Sequence, residues 1–152
     1  MIDTKHIGRQ LPPVIFEVEK GRLRFFGKAT GETRPEYLDE SAALAAGHPS
    51  IPAPPTFVFA AELDAGTLFS LLEELQVPLG HILHGEQQFT YHAPVHAGDV
   101  LTVQSTIADI YAKKNGELEF VIKDSSVRNQ HGHQVLEARS VIVVRNPGEK
   151  SV

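Results

Sequence analysis

Four segments between Glu86 and Arg145, spanning 86–93, 100–111, 118–128 and 134–145, are rich in Val, Ile, Phe, Tyr and Thr. Turn signals at Lys114-Asn115-Gly116 and from Asn129 to Gly132 separate the last three. Long β-branched runs joined by short turns pair with their neighbours, which predicts an antiparallel meander. Ahead of them, Phe57 to Leu75 is apolar on nearly every side. That pattern predicts a buried helix with Thr56 as its N-cap and a break at Asp64-Ala65-Gly66. Phe57, Phe59, Leu63 and Phe69 are assigned to the core. A buried helix followed by a meander implies an α+β domain whose sheet curls around the helix.

The first third of the chain is shorter in pattern. Val14 to Val18 reads as a strand, and Lys20 to Thr30 as a helix, with Leu23, Phe26 and Ala29 three apart and Gly31 as its stop. Asp39 caps a short Ala-rich turn, Ser41 to Ala46, that ends at Gly47. In the run HPSIPAPP from His48 to Pro55, four prolines fix their own φ and bias the preceding residues toward extended backbone, so it reads as a rigid connector without helix. Residues 1–147 are expected to form a single domain and 148–152 a loose tail.

Composition removes several classes of function. A formal net charge of −5 and the lack of any basic run argue against nucleic acid or an anionic membrane as partner. Without cysteine there is no disulfide framework and no thiol nucleophile. The N-terminus MIDTKHIGRQ lacks the apolar core of a signal peptide, and no run is long enough to span a bilayer, so a cytoplasmic location is expected. No nucleotide-binding loop or Gly-x-Ser-x-Gly elbow occurs.

The chemistry is concentrated in ATGETRPEYLDE, residues 29–40, where a carboxylate (Glu32) and a phenol (Tyr37) flank Arg34-Pro35. A turn can aim two such groups at one small substrate for acid/base work. The stretch resembles the hydratase motif of the MaoC-like dehydratases, Gly, Asp, any residue, Asn, Pro, aliphatic, His, which here reads Gly31, Glu32, Thr33, Arg34, Pro35, Glu36, Tyr37. Two further stretches extend the likeness over nearly the whole chain. APPTF, Ala53 to Phe57, stands at the opening of the central helix, and Leu83 to Leu101 carries Pro94 and the Gly98-Asp99 pair before the next strand.

The resemblance implies a hot-dog fold, an antiparallel sheet curled around a long central helix. It also implies (R)-specific hydration and dehydration of enoyl and 3-hydroxyacyl thioesters by a hydro-lyase. Coenzyme A or acyl carrier protein is then part of the substrate, and no other cofactor and no metal is needed. In active members an Asp and a His activate one water, while N–H groups at the helix start polarise the thioester carbonyl, where developing charge is best met by fixed donors. Carried over, the catalytic positions are Glu32 and Tyr37. The substrate-binding positions are Arg34, Pro55, Thr56, Phe57 and Gly85.

Three departures bear on activity. Glu32 replaces Asp and Tyr37 replaces His, and the phenol's ordinary pKa of about 10 suits it poorly to relay protons near neutrality. Pro55 stands where active members carry a glycine N–H, leaving Thr56 N–H as the available donor. Their coincidence points to a weakened or absent site in this subunit. Glu32 also reads as a solvated loop carboxylate, Tyr37 as a core aromatic, and Arg34 as the surface partner of Glu32 or Glu36 or as a contact for a carrier phosphate.

Eight histidines raise the question of a metal, but His81/His84 and His92/His96 lie outside any HExxH pattern and His131 and His133 flank a turn. His84, beside Gly85, is retained as an alternative proton relay. The readings that stand are a homodimeric hydratase and a non-catalytic acyl-binding subunit, in a homodimer or paired with a second hot-dog chain that does the chemistry. A hot-dog thioesterase is the weaker third.

Overall fold

The computed structural model describes residues 1–146; the expected loose tail, 148–152, lies outside them. Five strands, β1 (Val14–Glu17), β2 (Ile82–Tyr91), β3 (Val100–Lys113), β4 (Leu118–Arg128) and β5 (Gln134–Arg145), form one sheet in the order β1-β3-β4-β5-β2. All neighbours are antiparallel. The meander therefore comprises β3, β4 and β5, as the two turn signals require. β2 departs from it, crossing to pair with β5 instead of β3. The residues between β2 and β3 are too many for a tight hairpin and include Pro94, and both His92 N–H and Ala93 N–H donate to Val135 O, which keeps the chain on β5 as it leaves β2.

Between β1 and β2 in the chain come α1 (Lys20–Ala29) and α2 (Glu40–Ala45), where the Asp39 side chain accepts from Ala42 N–H. The central segment begins with a 3₁₀ turn, Phe57–Phe59, and continues as α3 (Ala60–Asp64) and α4 (Thr67–Glu74). Gly66, at φ +68°, makes the break at the expected place. Two expectations need correction. Thr56 makes no side-chain cap; its backbone is left-handed, φ 72°, so its hydroxyl is not aimed into the first turn. Nor is the segment buried all round: Phe57 is in the core, but Leu63 is 47% and Phe69 57% exposed. Short helices lying on one face of a sheet cover only their inward side, here Ala61, Leu71 and Leu72.

The inward face of the sheet alternates with period two, and its polar members fall together. Lys123 and Ser125 of β4 sit between Val121 and Val127, opposite Ser140 of β5 and Ser105 of β3 respectively, and all four are buried. Glu62 of α3 closes the group: Lys123 Nζ and Ser105 Oγ lie 2.6 and 2.7 Å from its Oε1, and Ser105 Oγ is 2.8 Å from Ser125 Oγ. This belt separates two apolar clusters. One centres on Phe57, Leu101 and Val127, the other on Leu71, Ile107 and Val121.

Gly85 sits where β2 shifts register against β5, between His84 and Glu86. A Cβ there would lie 2.7 Å from Val143 Cγ2 and 3.1 Å from Val141 O, inside contact distance of a paired strand. Gly85→Ala is expected to lower stability by about 2 kcal/mol through overpacking, seen as a lower urea midpoint with an unchanged m-value.

Candidate functional site

Three segments meet at the end of β2. The Pro-rich connector is tied to the turn before β3 by an isolated bridge between Pro52 and His96, by Ala53 N–H to Val95 O at 2.7 Å, and by Ala97 N–H to Ile51 O at 2.9 Å. The 3₁₀ turn Pro35–Tyr37 lies alongside. Together they enclose a cavity of about 220 Å³ whose apolar wall includes Pro52, Pro54, Pro55, Val58, Pro94 and Leu136. Its polar groups come from Tyr37, His48, Thr56 and Tyr91. At that volume it falls below the roughly 300–1,000 Å³ of a pocket for a whole drug-sized ligand, so it suits one segment of a longer molecule.

Three polar arrangements face or flank the cavity. Thr56 N–H donates to the Tyr91 hydroxyl at 3.0 Å. Holding a β-branched residue in the left-handed region costs about 1–3 kcal/mol, which the fixed prolines on its N-terminal side and the core anchor Phe57 on its other side must offset. His48 Nδ1 and His96 Nε2 are 3.1 Å apart, within hydrogen-bond distance. Burial holds the His96 imidazole below its usual range; Asp99 opposes that shift and His48 adds to it. The Arg34 guanidinium carbon lies 4.5 Å from the centre of the Tyr37 ring.

Glu32 stands apart from the cavity wall. Its Oε1 accepts from Thr33 N–H, Arg34 N–H and Arg34 Nε–H, each at 3.0 Å, and its Oε2 from Arg34 Nη2 at 2.7 Å. The Arg34 side chain first, then the two backbone N–H groups, hold its pKa down to about 2. Of the sequence-derived residues, the cavity gathers Tyr37, Pro55 and Thr56. Arg34 reaches it only through the face of Tyr37. Phe57 is buried beneath, with its ring 5.9 and 5.4 Å from those of Phe16 and Phe26. His84 is on the exposed outer strand with its ring edge-on to Phe59 at 5.3 Å, and Gly85 packs against β5. His48 and Tyr91 were not singled out from sequence. Their place depends on the Pro52–His96 bridge and the β2–β5 register, which no local pattern encodes. Among the described residues no three His, Asp or Glu side chains come together as a metal set, and no helix is long and apolar enough to cross a membrane.

Comparison with known proteins agrees with this fold. Residues 5–138 match the family described as FAS1-like, dehydratase domain region. A UPF0336 protein of Streptomyces coelicolor is 37% identical over 147 residues, covering 95% of each chain. Among solved structures, one chain of the HadBC (3R)-hydroxyacyl-ACP dehydratase complex of Mycobacterium tuberculosis superposes with a TM-score of 0.78 at 27% identity, over 91% of this chain and 96% of that one. A MaoC-like dehydratase superposes with a TM-score of 0.79 at 20% identity, over 93% of this chain and 42% of that one, a likeness of fold. The α+β hot-dog fold and the MaoC-like resemblance both hold.

Proposed function

The chain belongs to the FAS1-like dehydratase-region family, and from that premise we propose that it is the acyl-binding subunit of an (R)-specific 3-hydroxyacyl thioester dehydratase, with a second hot-dog chain supplying the chemistry. The observation that carries this reading is the position of Glu32. The carboxylate that would act as base is spent on Arg34 and two backbone N–H groups, and among the described residues no carboxylate lines the cavity. A group with a pKa near 2 has little affinity for a proton at neutral pH, so it cannot deprotonate water usefully there. What remains is a small, mostly apolar cavity, with Thr56 N–H donating to the Tyr91 hydroxyl at its wall, suited to holding part of an acyl thioester. Coenzyme A or acyl carrier protein enters as part of that ligand, with no separate cofactor.

The likeness to a chain of a two-subunit dehydratase supports pairing with a second hot-dog chain. So does the sheet, because β2 runs ten residues and, among the described residues, pairs only with β5 and leaves its other edge unpaired, with Leu83 56% exposed. A homodimeric hydratase is the second reading, favoured by His48 at the cavity wall and its 3.1 Å contact with His96. Calorimetric titration tests the binding role: acyl thioesters of graded length are expected to bind at least about tenfold tighter than the matching free acids, whose charge must be desolvated in an apolar cavity. Equal affinity for acids and thioesters, or no binding of either to the folded chain, would remove the proposal.

A further inference from the structure

Resting on the acyl-binding reading, we propose that Tyr91 attenuates the binding of acyl thioesters in the cavity: its hydroxyl occupies Thr56 N–H in place of a ligand carbonyl, and a bound thioester displaces it. Two independent observations converge. Thr56 is a β-branched residue at φ 72°, a conformation suited to glycine, and it lies at the cavity wall. Its N–H donates to the hydroxyl of Tyr91, which lines the same cavity. A strained backbone at a cavity wall, held by its surroundings, marks a group positioned for use.

The second observation concerns the acceptor. Tyr91 ends β2, is 52% exposed, and stacks on Phe89 with ring centres 5.9 Å apart and planes 19° apart. Its bond to Thr56 N–H, at 3.0 Å, is the hydroxyl's one hydrogen bond among the described residues. A phenol oxygen is a weak neutral acceptor with an exposed ring behind it, so it can leave at small cost when a carbonyl oxygen arrives. A ligand without a carbonyl has nothing to place on the N–H and would have to leave the Tyr91 contact intact or break it uncompensated. The free N–H would favour a carbonyl, and Tyr91 reduces that advantage, weakening every carbonyl ligand by about the strength of one neutral hydrogen bond.

Tyr91→Phe keeps the ring and the stacking while removing the acceptor. Calorimetry would use hexanoyl-pantetheine thioester and the matched thioether that lacks the carbonyl, on the full chain. The thioester is expected to bind Tyr91→Phe about three- to tenfold tighter than wild type, the thioether unchanged. The Thr56 amide proton should shift upfield in Tyr91→Phe and return downfield on adding thioester but not thioether. If both ligands bind and Tyr91→Phe leaves their ratio unchanged or weakens the thioester, the displacement role is overturned and the acyl-binding reading stands. If neither ligand binds either protein, the acyl-binding reading falls and takes this proposal with it.

Discussion

Replacing Lys123 with methionine is expected to destabilise the protein by about 3–5 kcal/mol, the cost of leaving a buried carboxylate without its cation. The Glu62 side chain is 13% exposed and that of Lys123 9%, so neither regains water when the other is removed. Ser105 Oγ, 2.7 Å from Glu62, remains a donor but brings no charge. The double variant Glu62→Gln, Lys123→Met should recover most of the loss, because a neutral amide still accepts from Ser105 and needs no counter-ion. Urea unfolding of the two variants checks this, and a double variant no better than the single one would show that Lys123 acts through packing of its stem rather than its charge.

On its own, the chain is expected to hydrate a short trans-2-enoyl thioester at no more than about 1% of the rate of its complex with a catalytic hot-dog partner, since a missing base and relay typically cost 100-fold or more. Glu32→Gln should leave the rate of the complex within about twofold of wild type, because the carboxylate is committed to Arg34. Its consequence should instead appear in stability at low pH. The folded pKa, about 2, lies below the ordinary 4.5, so the ionised carboxylate stabilises the fold above about pH 4.5. That contribution is lost as pH falls toward 2, and Glu32→Gln should flatten the acid limb of the stability curve across that window. Full activity of the isolated chain, abolished by Glu32→Gln, would overturn the subunit assignment.

Much of the fold was legible because its signals are local. The ends of β4 and β5, the stop of α1 near Gly31, the Asp39 cap and the break at Gly66 each follow from a residue whose backbone preference acts within a few positions. The Glu32–Arg34 pair was legible for the same reason, being two residues apart. Burial of the central segment was overestimated. Apolar content shows that a face will be covered, but which faces of α3 and α4 meet the sheet depends on how Gly66 resets their phase.

The sequence by itself determined the class of the protein: periodicity set an α+β domain, and three motifs set the dehydratase likeness. Only the tertiary structure decided which side chains share the cavity. Tyr37, His48, Thr56 and Tyr91 come from three separate segments, the Pro35–Tyr37 turn, the Pro-rich connector and β2, brought together by the crossing of β2 to β5 and the Pro52–His96 bridge. It also decided that Lys123 and Glu62, 61 residues apart, would meet inside the core. Such contacts are stabilised by burial and hydrogen bonding between segments distant in sequence, and those energies exist only once the chain has closed on itself.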